Sequence, residues 1–515
     1  MHPFLIAENH PDRAAAIDGD TGSRLTYGQL TDESLRWAHA LREAGISAGS
    51  RVALMLPNSL NLFPVVWALQ STGVEYTPIN THLTAGEIER IVVHSGATAL
   101  ISSIDLLETL DQISDAGWSA VWCRFLVDGD APDWRSWPRE RTDWAPVPIP
   151  HPNEGMFLYY SSGTTGAPKG ILRGELVTRE LGETPDTLTQ KFLELVDFHD
   201  GDVLLSSAPL YHSAPLGWVV GAQRLGGTVL FTRKFDAKRT LELIDEYDVT
   251  HCQMVPTMFV RLLKLPESER RGSDRASLRH IVHSAAPCPV EVKRAMIEEW
   301  GPIIDEYYTS TELIGATFIT SAEWLQHPGS VGRALEGWGE PRIIDEEMNL
   351  LPARETGELW FEGTFPFTYF GDTTALKSQR DDTRGWATAG DVGWIDEEGY
   401  LYLTDRKTYM IVSGGVNIYP QEIEAALILH PAVADVAVFG VPNPDFGEEV
   451  KAVIQPAGGV EPGPELAALL EAHCRQELAG FKVPRSFDFL DELPRLDTGK
   501  LYKAALRDPY WKQSA

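Results

Sequence analysis

The sequence predicts an α/β protein in two parts: a large N-terminal domain over residues 1–404 and a small α+β domain over residues 405–515. Three observations carry this expectation. Short apolar runs alternate with helical patterns between Arg51 and Tyr308, the rhythm of parallel strands joined by helices. From about Gly329 to Tyr402 the helical rhythm stops, and Gly-rich, β-like pieces (Gly357 to Gly363, Gly393 to Tyr402) predict a small β-barrel-like unit. After Thr404 a new α+β pattern runs on, punctuated by Pro442, Pro444, Pro462 and Pro464, which places the boundary near Thr404 to Tyr409.

The elements follow in order. Val52 to Leu56 and Val74 to Ile79 read as strands around a helix at Leu60 to Gln70, and a helix at Ala85 to His94 leads into a strand at Ala97 to Ile101. Strands resume at Val203 to Ser207, Thr228 to Thr232, Thr250 to Val255, Leu278 to Ser284 and Ile303 to Tyr308. Helical patterns at Ala237 to Tyr247 and Pro289 to Trp300 separate several of them. Ligands of open α/β sheets sit beyond the carboxyl ends of the strands. Three polar segments fall at such ends and can converge on one crevice: Tyr211-His212-Ser213, Ser284-Ala285-Ala286-Pro287 and Tyr308-Thr309-Ser310-Thr311-Glu312.

Composition bounds the function. A chain of 515 residues exceeds one ordinary domain, and 43% apolar with 23% charged residues is normal for a soluble globular protein. A net charge of −30 argues against general nucleic-acid binding, which needs a basic face. Cys123, Cys252, Cys288 and Cys474 show no CxxC pair or regular spacing, so neither a zinc site nor a disulfide framework is indicated and a reducing, cytoplasmic setting is expected. The start, Met1-His2-Pro3-Phe4, lacks the features of a signal peptide, and no apolar run approaches the ~20 residues of a membrane helix.

The strongest local signal is Ser161-Ser162-Gly163-Thr164-Thr165-Gly166-Ala167-Pro168-Lys169-Gly170, which follows the β-like run Met156 to Tyr160. Glycines let backbone N–H groups approach phosphate oxygens, hydroxyls donate further bonds, and Lys169 adds a point charge. The G-x-x-x-x-G-K-[ST] spacing fails, so this is not a Walker A loop. A Ser/Thr/Gly linker has a similar composition, but the apolar flanks and the single lysine favour a phosphate loop.

This loop resembles the signature of the adenylate-forming superfamily, which includes acyl-CoA synthetases, luciferases and the adenylation domains of peptide synthetases. Further segments match in the family's order. Tyr308-Thr309-Ser310-Thr311-Glu312 resembles Y-G-x-T-E, and Thr388-Ala389-Gly390-Asp391 resembles the T-G-D segment. Asp405-Arg406-Lys407 followed by Ser413-Gly414-Gly415-Val416-Asn417-Ile418-Tyr419-Pro420 resembles the start of the mobile C-terminal domain. Val441-Pro442-Asn443-Pro444 with Gly447-Glu448 also fits, and Leu493-Pro494-Arg495-Leu496-Asp497-Thr498-Gly499-Lys500 looks like the catalytic-lysine loop. The likeness runs from Leu25-Thr26-Tyr27-Gly28 to Lys503.

The resemblance implies an N-terminal domain of two α/β sheet subdomains with the small β unit, a mobile C-terminal domain, and two half-reactions. A carboxylate attacks the α-phosphorus of ATP to give an acyl-adenylate and pyrophosphate; a thiolate then attacks the mixed anhydride and releases AMP. The resemblance gives Ser161, Ser162, Gly163, Thr164, Thr165 and Lys169 the β,γ-phosphates, Thr311 the α-phosphate, and Glu312 a Mg²⁺ ion, which prefers oxygen ligands. Asp391 would accept from the ribose hydroxyls, Arg406 would lie near ribose or phosphate, and Ser284, Ala285, Ala286, Pro287 and Tyr308 would flank the adenine. Gly414 and Gly415, at the start of the mobile C-terminal domain, would be among the cofactor-binding residues, and His212 would lie between acyl pocket and thiol tunnel. Lys500 would bridge carboxylate and α-phosphate, stabilising charge in the first transition state.

The chain departs from the family at four places. Thr309 stands where relatives have glycine, which reshapes or shortens the acyl pocket; Ala389 stands for the threonine of T-G-D. Thr408 and Tyr409 occupy hinge positions that relatives fill with charge, yet rotation needs only permissive dihedrals. Pocket candidates are His212, Gly217, Trp218, Val255, His283, Ser284, Thr309 and Ala316, with no Arg or Lys among them, so a mainly hydrophobic acid (fatty, aromatic or steroid-like) is expected. The Gly414 to Pro420 form and a chain ending at Ala515 without a carrier domain favour coenzyme A as acceptor. The competing readings are an enzyme that loads a separate carrier protein, a luciferase-like oxygenase, and a non-catalytic acyl-adenylate or nucleotide-binding relative; a homodimer is the default assembly.

Overall fold

A computed structural model describes residues 2–137, 144–161, 169–173, 188–270, 272, 275–363, 367–370, 379–406, 409–414, 416–495 and 501–512. The chain divides into two compact units: Met1–Gln253 with Ser273–His280 and Pro366–Leu376, and Met254–Gly272 with Ile281–Phe365 and Lys377–Ala515.

The first unit holds two parallel sheets. One runs in the order Arg135–Ser136, Cys123–Leu126, Ala99–Ser102, Arg51–Met55, Glu75–Pro78 and Met156–Phe157, all parallel. Its helices Leu62–Ser71 and Ala85–Ser95 sit where the periodicity predicts them. The two central strands are buried from Val52 to Met55 and from Ala99 to Ser102 and are largely apolar there, as strands covered on both faces require. The other sheet places Ala14–Asp18, Thr228–Phe231, Val203–Ser206 and His251–Met254 in parallel, with Arg24–Thr26 antiparallel at its edge.

The Leu25-Thr26-Tyr27-Gly28 segment has a structural job. Thr26 and Gln29 form a reciprocal capping box that starts the helix Tyr27–Glu43. The fully buried Tyr27 phenol donates to Gly227 O at 2.7 Å.

In the second unit the strand ending at His283 runs parallel to Ile304–Thr309, which turns back antiparallel into Ala316–Ile319. Antiparallel pairing continues through Ser330–Ala334, Leu401–Arg406, Asp391–Ile395 and Gly357–Glu362. The terminal α+β layer pairs Val433–Asn443 with Gly447–Pro456 over eleven residues of strand, flanked by Ile411–Ser413 and by Ser486–Phe489. Its helices are Pro420–Ile428, Pro464–Glu477 and Lys503–Lys512.

Candidate nucleotide site

In the second unit, the hairpin Ile304–Thr309/Ala316–Ile319 carries Tyr308 at its tip and Thr311 and Glu312 in its loop. Glu306 to Thr309 pair with Ile319 to Ala316, so the loop leaves the sheet in a fixed register. The strand Asp391–Ile395 begins with Asp391, which lies opposite Arg406 of Leu401–Arg406. The Tyr308 phenol donates to the Asp391 carboxylate at 2.6 Å, joining two residues 83 positions apart. Asp391 is itself buried.

The turn into Asp391 is held by a neighbour. Thr388 Oγ1 donates to Leu359 O at 2.7 Å and accepts from Gly390 N at 2.9 Å, with Gly390 at φ 79°. Thr388 thus supplies the hydroxyl that Ala389 lacks. Sequence reading passed it over because it stands one place from the expected position.

Ser284–Pro287 follows the strand His280–His283. Ser284 is buried, and Ala285 is exposed at φ 73°, a left-handed conformation that non-glycine residues adopt at a cost and that clusters at functional sites. Gly414 takes φ 57° in the two-residue turn between Ile411–Ser413 and Val416–Ile418, where hairpin twist demands a positive angle; Gly415 lies outside the described residues. The backbone of Arg406 is placed by its strand, while its side chain falls outside the described part.

In the first unit, Ser161 ends the strand Tyr159–Ser161 and Lys169 opens Lys169–Arg173, and the two strands pair antiparallel with Lys169 opposite Ser161. A Walker A loop joins a strand to a helix, so this strand-to-strand setting agrees with the failed spacing. Ser162, Gly163, Thr164 and Thr165 lie outside the described residues, as does Lys500. His212 is the residue before the helix Ser213–Arg224, its ring 4.6 Å from that of Tyr211. Of the acyl-pocket candidates beside it, Trp218 stacks on Phe192, and a Cβ on Gly217 would come within 2.9 Å of Thr189 Oγ1. Both residues therefore pack on the helix Leu188–Leu195.

A buried polar cluster centres on Glu306 of the strand Ile304–Thr309. Lys293, from the helix Val290–Trp300, is fully buried with Nζ 2.7 Å from Glu306 Oε2. His283 Nε2 lies 3.4 Å from the same oxygen, and the His283 ring packs edge-on to Phe259 at 5.1 Å. Sequence reading placed His283 among pocket candidates; with Val255 and Ala316 it is wholly or almost wholly buried. Burial, with the Lys293 charge second, holds its imidazole well below the usual range, so it is neutral.

Burial also lowers His251 to about 4, against a partial rise from its bond to Val196 O. A base depressed in the folded state contributes stability that is complete above its unfolded pKa of about 6.5 and is lost as the pH falls. The urea midpoint is therefore expected to drop between pH 7.5 and 5.0, with about 2 kcal/mol of the loss from His251 alone. His251→Gln should flatten the profile by that amount; an unchanged slope would count against this account.

Residues 5–368 match the AMP-binding enzyme family and residues 422–500 the AMP-binding enzyme C-terminal domain. A fatty acid–[acyl-carrier-protein] ligase from Streptomyces coeruleorubidus is 31% identical, with 99% of this chain and 96% of the relative covered. A feruloyl-CoA synthase from Amycolatopsis is 32% identical, covering 98% and 97%. The o-succinylbenzoate CoA synthetase of Bacillus subtilis, solved with an acyl-adenylate intermediate, superposes with a TM-score of 0.78 at 26% identity, covering 98% and 97%. No helix among the described residues is long and apolar enough to cross a membrane. The polar segments at the strand ends thus lie in a chain that belongs to the AMP-binding enzyme family, in its acyl-CoA synthetase branch of ATP-dependent adenylating ligases.

Proposed function

We propose that the protein is an acid–thiol ligase that adenylates a mainly hydrophobic carboxylic acid and transfers the acyl group to coenzyme A. The observation that carries this reading is the Tyr308–Asp391 bond, which joins the predicted adenine residue to the predicted ribose residue. In the first half-reaction a carboxylate oxygen bonds to the α-phosphorus of ATP, and the bond to pyrophosphate breaks. In the second the thiolate adds to the acyl carbon, and AMP leaves with the anhydride oxygen.

Asp391 accepts from the ribose hydroxyls while Tyr308 fixes its carboxylate, and Ser284–Pro287 flanks the base. Thr311 meets the α-phosphate, and Glu312 offers one carboxylate to Mg²⁺, which neutralises phosphate charge when bound. Magnesium commonly takes one or two carboxylates together with phosphates and water. A single acidic residue in the Thr311–Glu312 loop suits that habit, and among the described residues no group of three His, Cys, Asp or Glu forms a cage. Ser161 to Thr165 and Lys169 hold the leaving phosphates, Arg406 assists near the ribose, and His212 stands at the thiol path. The domain boundary is proposed at residues 404–405, with the smaller part turning between the two steps.

The acid is proposed as fatty, aromatic or steroid-like. The similar proteins divide between a carrier-protein acceptor and coenzyme A, so carrier loading is the second reading. Pyrophosphate release should be screened across an acid panel with neither acceptor, with coenzyme A, and with a phosphopantetheinylated carrier protein. Pure, folded protein that releases pyrophosphate with no acid would sink the proposal. Asp391→Ala should raise the ATP KM about 10–100-fold, as expected for hydrogen bonds to a charged group. Tyr308→Phe, which only unfixes the carboxylate, should raise it about fivefold.

A further inference from the structure

The loop that offers Thr311 and Glu312 is under local stress. Leu313 sits at φ 54°, in the left-handed region, and the buried Ser310 Oγ has no hydrogen-bond partner among the described residues. Such features persist only where the surroundings over-determine them. Two contacts do so at the loop's base. Thr309 Oγ1 donates to Gly315 O at 2.8 Å, tying the first strand end to the residue before the second. Gly315 lies flat against the buried Phe361 ring, so that any side chain there would collide with it.

We propose that Thr309 is a positioning residue: its hydroxyl straps the hairpin loop closed and so holds Thr311 and Glu312 where the α-phosphate and its metal ion are met. The inference rests on the nucleotide-site reading above. A glycine at this position has no side chain to make the strap. The threonine spends its hydroxyl on the neighbouring carbonyl, and its β-branched side chain has few alternative rotamers. The loop is therefore set before ligand arrives, and less ordering is needed when the transition state forms.

The test is acid-dependent ATP–pyrophosphate exchange by the full-length protein. Thr309→Val keeps the shape and removes the donor. It is expected to lower kcat about fivefold, the worth of one ordinary hydrogen bond, and to raise the Mg²⁺ concentration at half-maximal rate, with the acid KM unchanged. Thr309→Ser, which keeps the hydroxyl, should recover most of the rate. A merely structural threonine would lower the melting temperature of Thr309→Val without moving kcat or the Mg²⁺ requirement, and that result would overturn the proposal. Glu312→Gln separates the two levels of the argument. If it spares Mg²⁺-dependent exchange, the nucleotide-site reading fails and the strap with it. If it abolishes exchange while Thr309→Val does not change it, only the strap fails.

Discussion

Lys500→Ala is expected to abolish adenylation, by about 10²–10³-fold or more, while sparing attack of the thiol on a supplied acyl-adenylate. The size follows from the proposed role, because removing one charge that faces negative charge developing on a phosphate typically costs that much. The asymmetry follows from the chemistry. In the first step two anions, carboxylate and triphosphate, must approach each other, and a cation between them offsets the repulsion. In the second the acyl carbon is already activated and the attacking sulfur carries its own charge.

The substitution should leave the small domain folded. Lys500 itself lies outside the described residues, but the chain on either side is anchored without it. Arg495 pairs with Leu501 across the base of the loop, and Tyr502 N donates to Pro494 O at 2.8 Å. The Arg495 guanidinium grips both oxygens of Asp435, at 2.5 and 2.7 Å, and Lys503 reaches Glu424 at 2.8 Å. Pyrophosphate exchange and single-turnover thioester formation, measured on the same preparation, give the two rates. Equal loss of both would contradict the assignment.

Tyr409, one of the departures from the family pattern, belongs to this neighbourhood. Its ring lies 5.7 Å from Lys503 Nζ and 5.7 Å from Arg507 Cζ, so an aromatic face meets two cations. The sequence marked the position as unusual but gave no sign of its partners, because cation–π contacts have no fixed spacing along a chain. The same holds elsewhere. Strands such as Arg51–Met55 and Val203–Ser206 were legible because burial on both faces leaves continuous apolar runs. Ala14–Asp18 was not, since three alanines and an isoleucine carry no period. Asp391 and Tyr308 were legible as separate motif residues, but their mutual bond is a tertiary fact. Gly217 and Trp218, read as pocket lining, also pack on a neighbouring helix, a use that small and aromatic residues on a helix share with ligand sites.

Lys293 is the clearest case of a residue that its sequence context disguises, and it carries the largest expected effect on stability. A lysine in a helix normally reads as solvated, yet this one is fully buried against Glu306, with the Trp324 ring 5.1 Å from its Nζ. Lys293→Met fills similar volume but strands the carboxylate. Breaking a buried pair from one side costs about 3–5 kcal/mol, because the remaining charge has lost its compensation. Burial pushes the Glu306 carboxyl up from its ordinary value, and Lys293 opposes that shift. Removing the ammonium must therefore raise it further. A carboxyl raised in the folded state favours folding below its unfolded pKa, and that contribution is lost as the pH rises through the folded value. The deficit of Lys293→Met should accordingly be smaller at pH 5 than at pH 8, and the double variant Lys293→Met/Glu306→Leu should recover much of it at both. Urea unfolding of the three proteins at the two pH values checks the argument. A single variant as stable as the parent at pH 8 would mean that the pair contributes nothing, and that the strand leading to Tyr308 is held by its apolar neighbours alone.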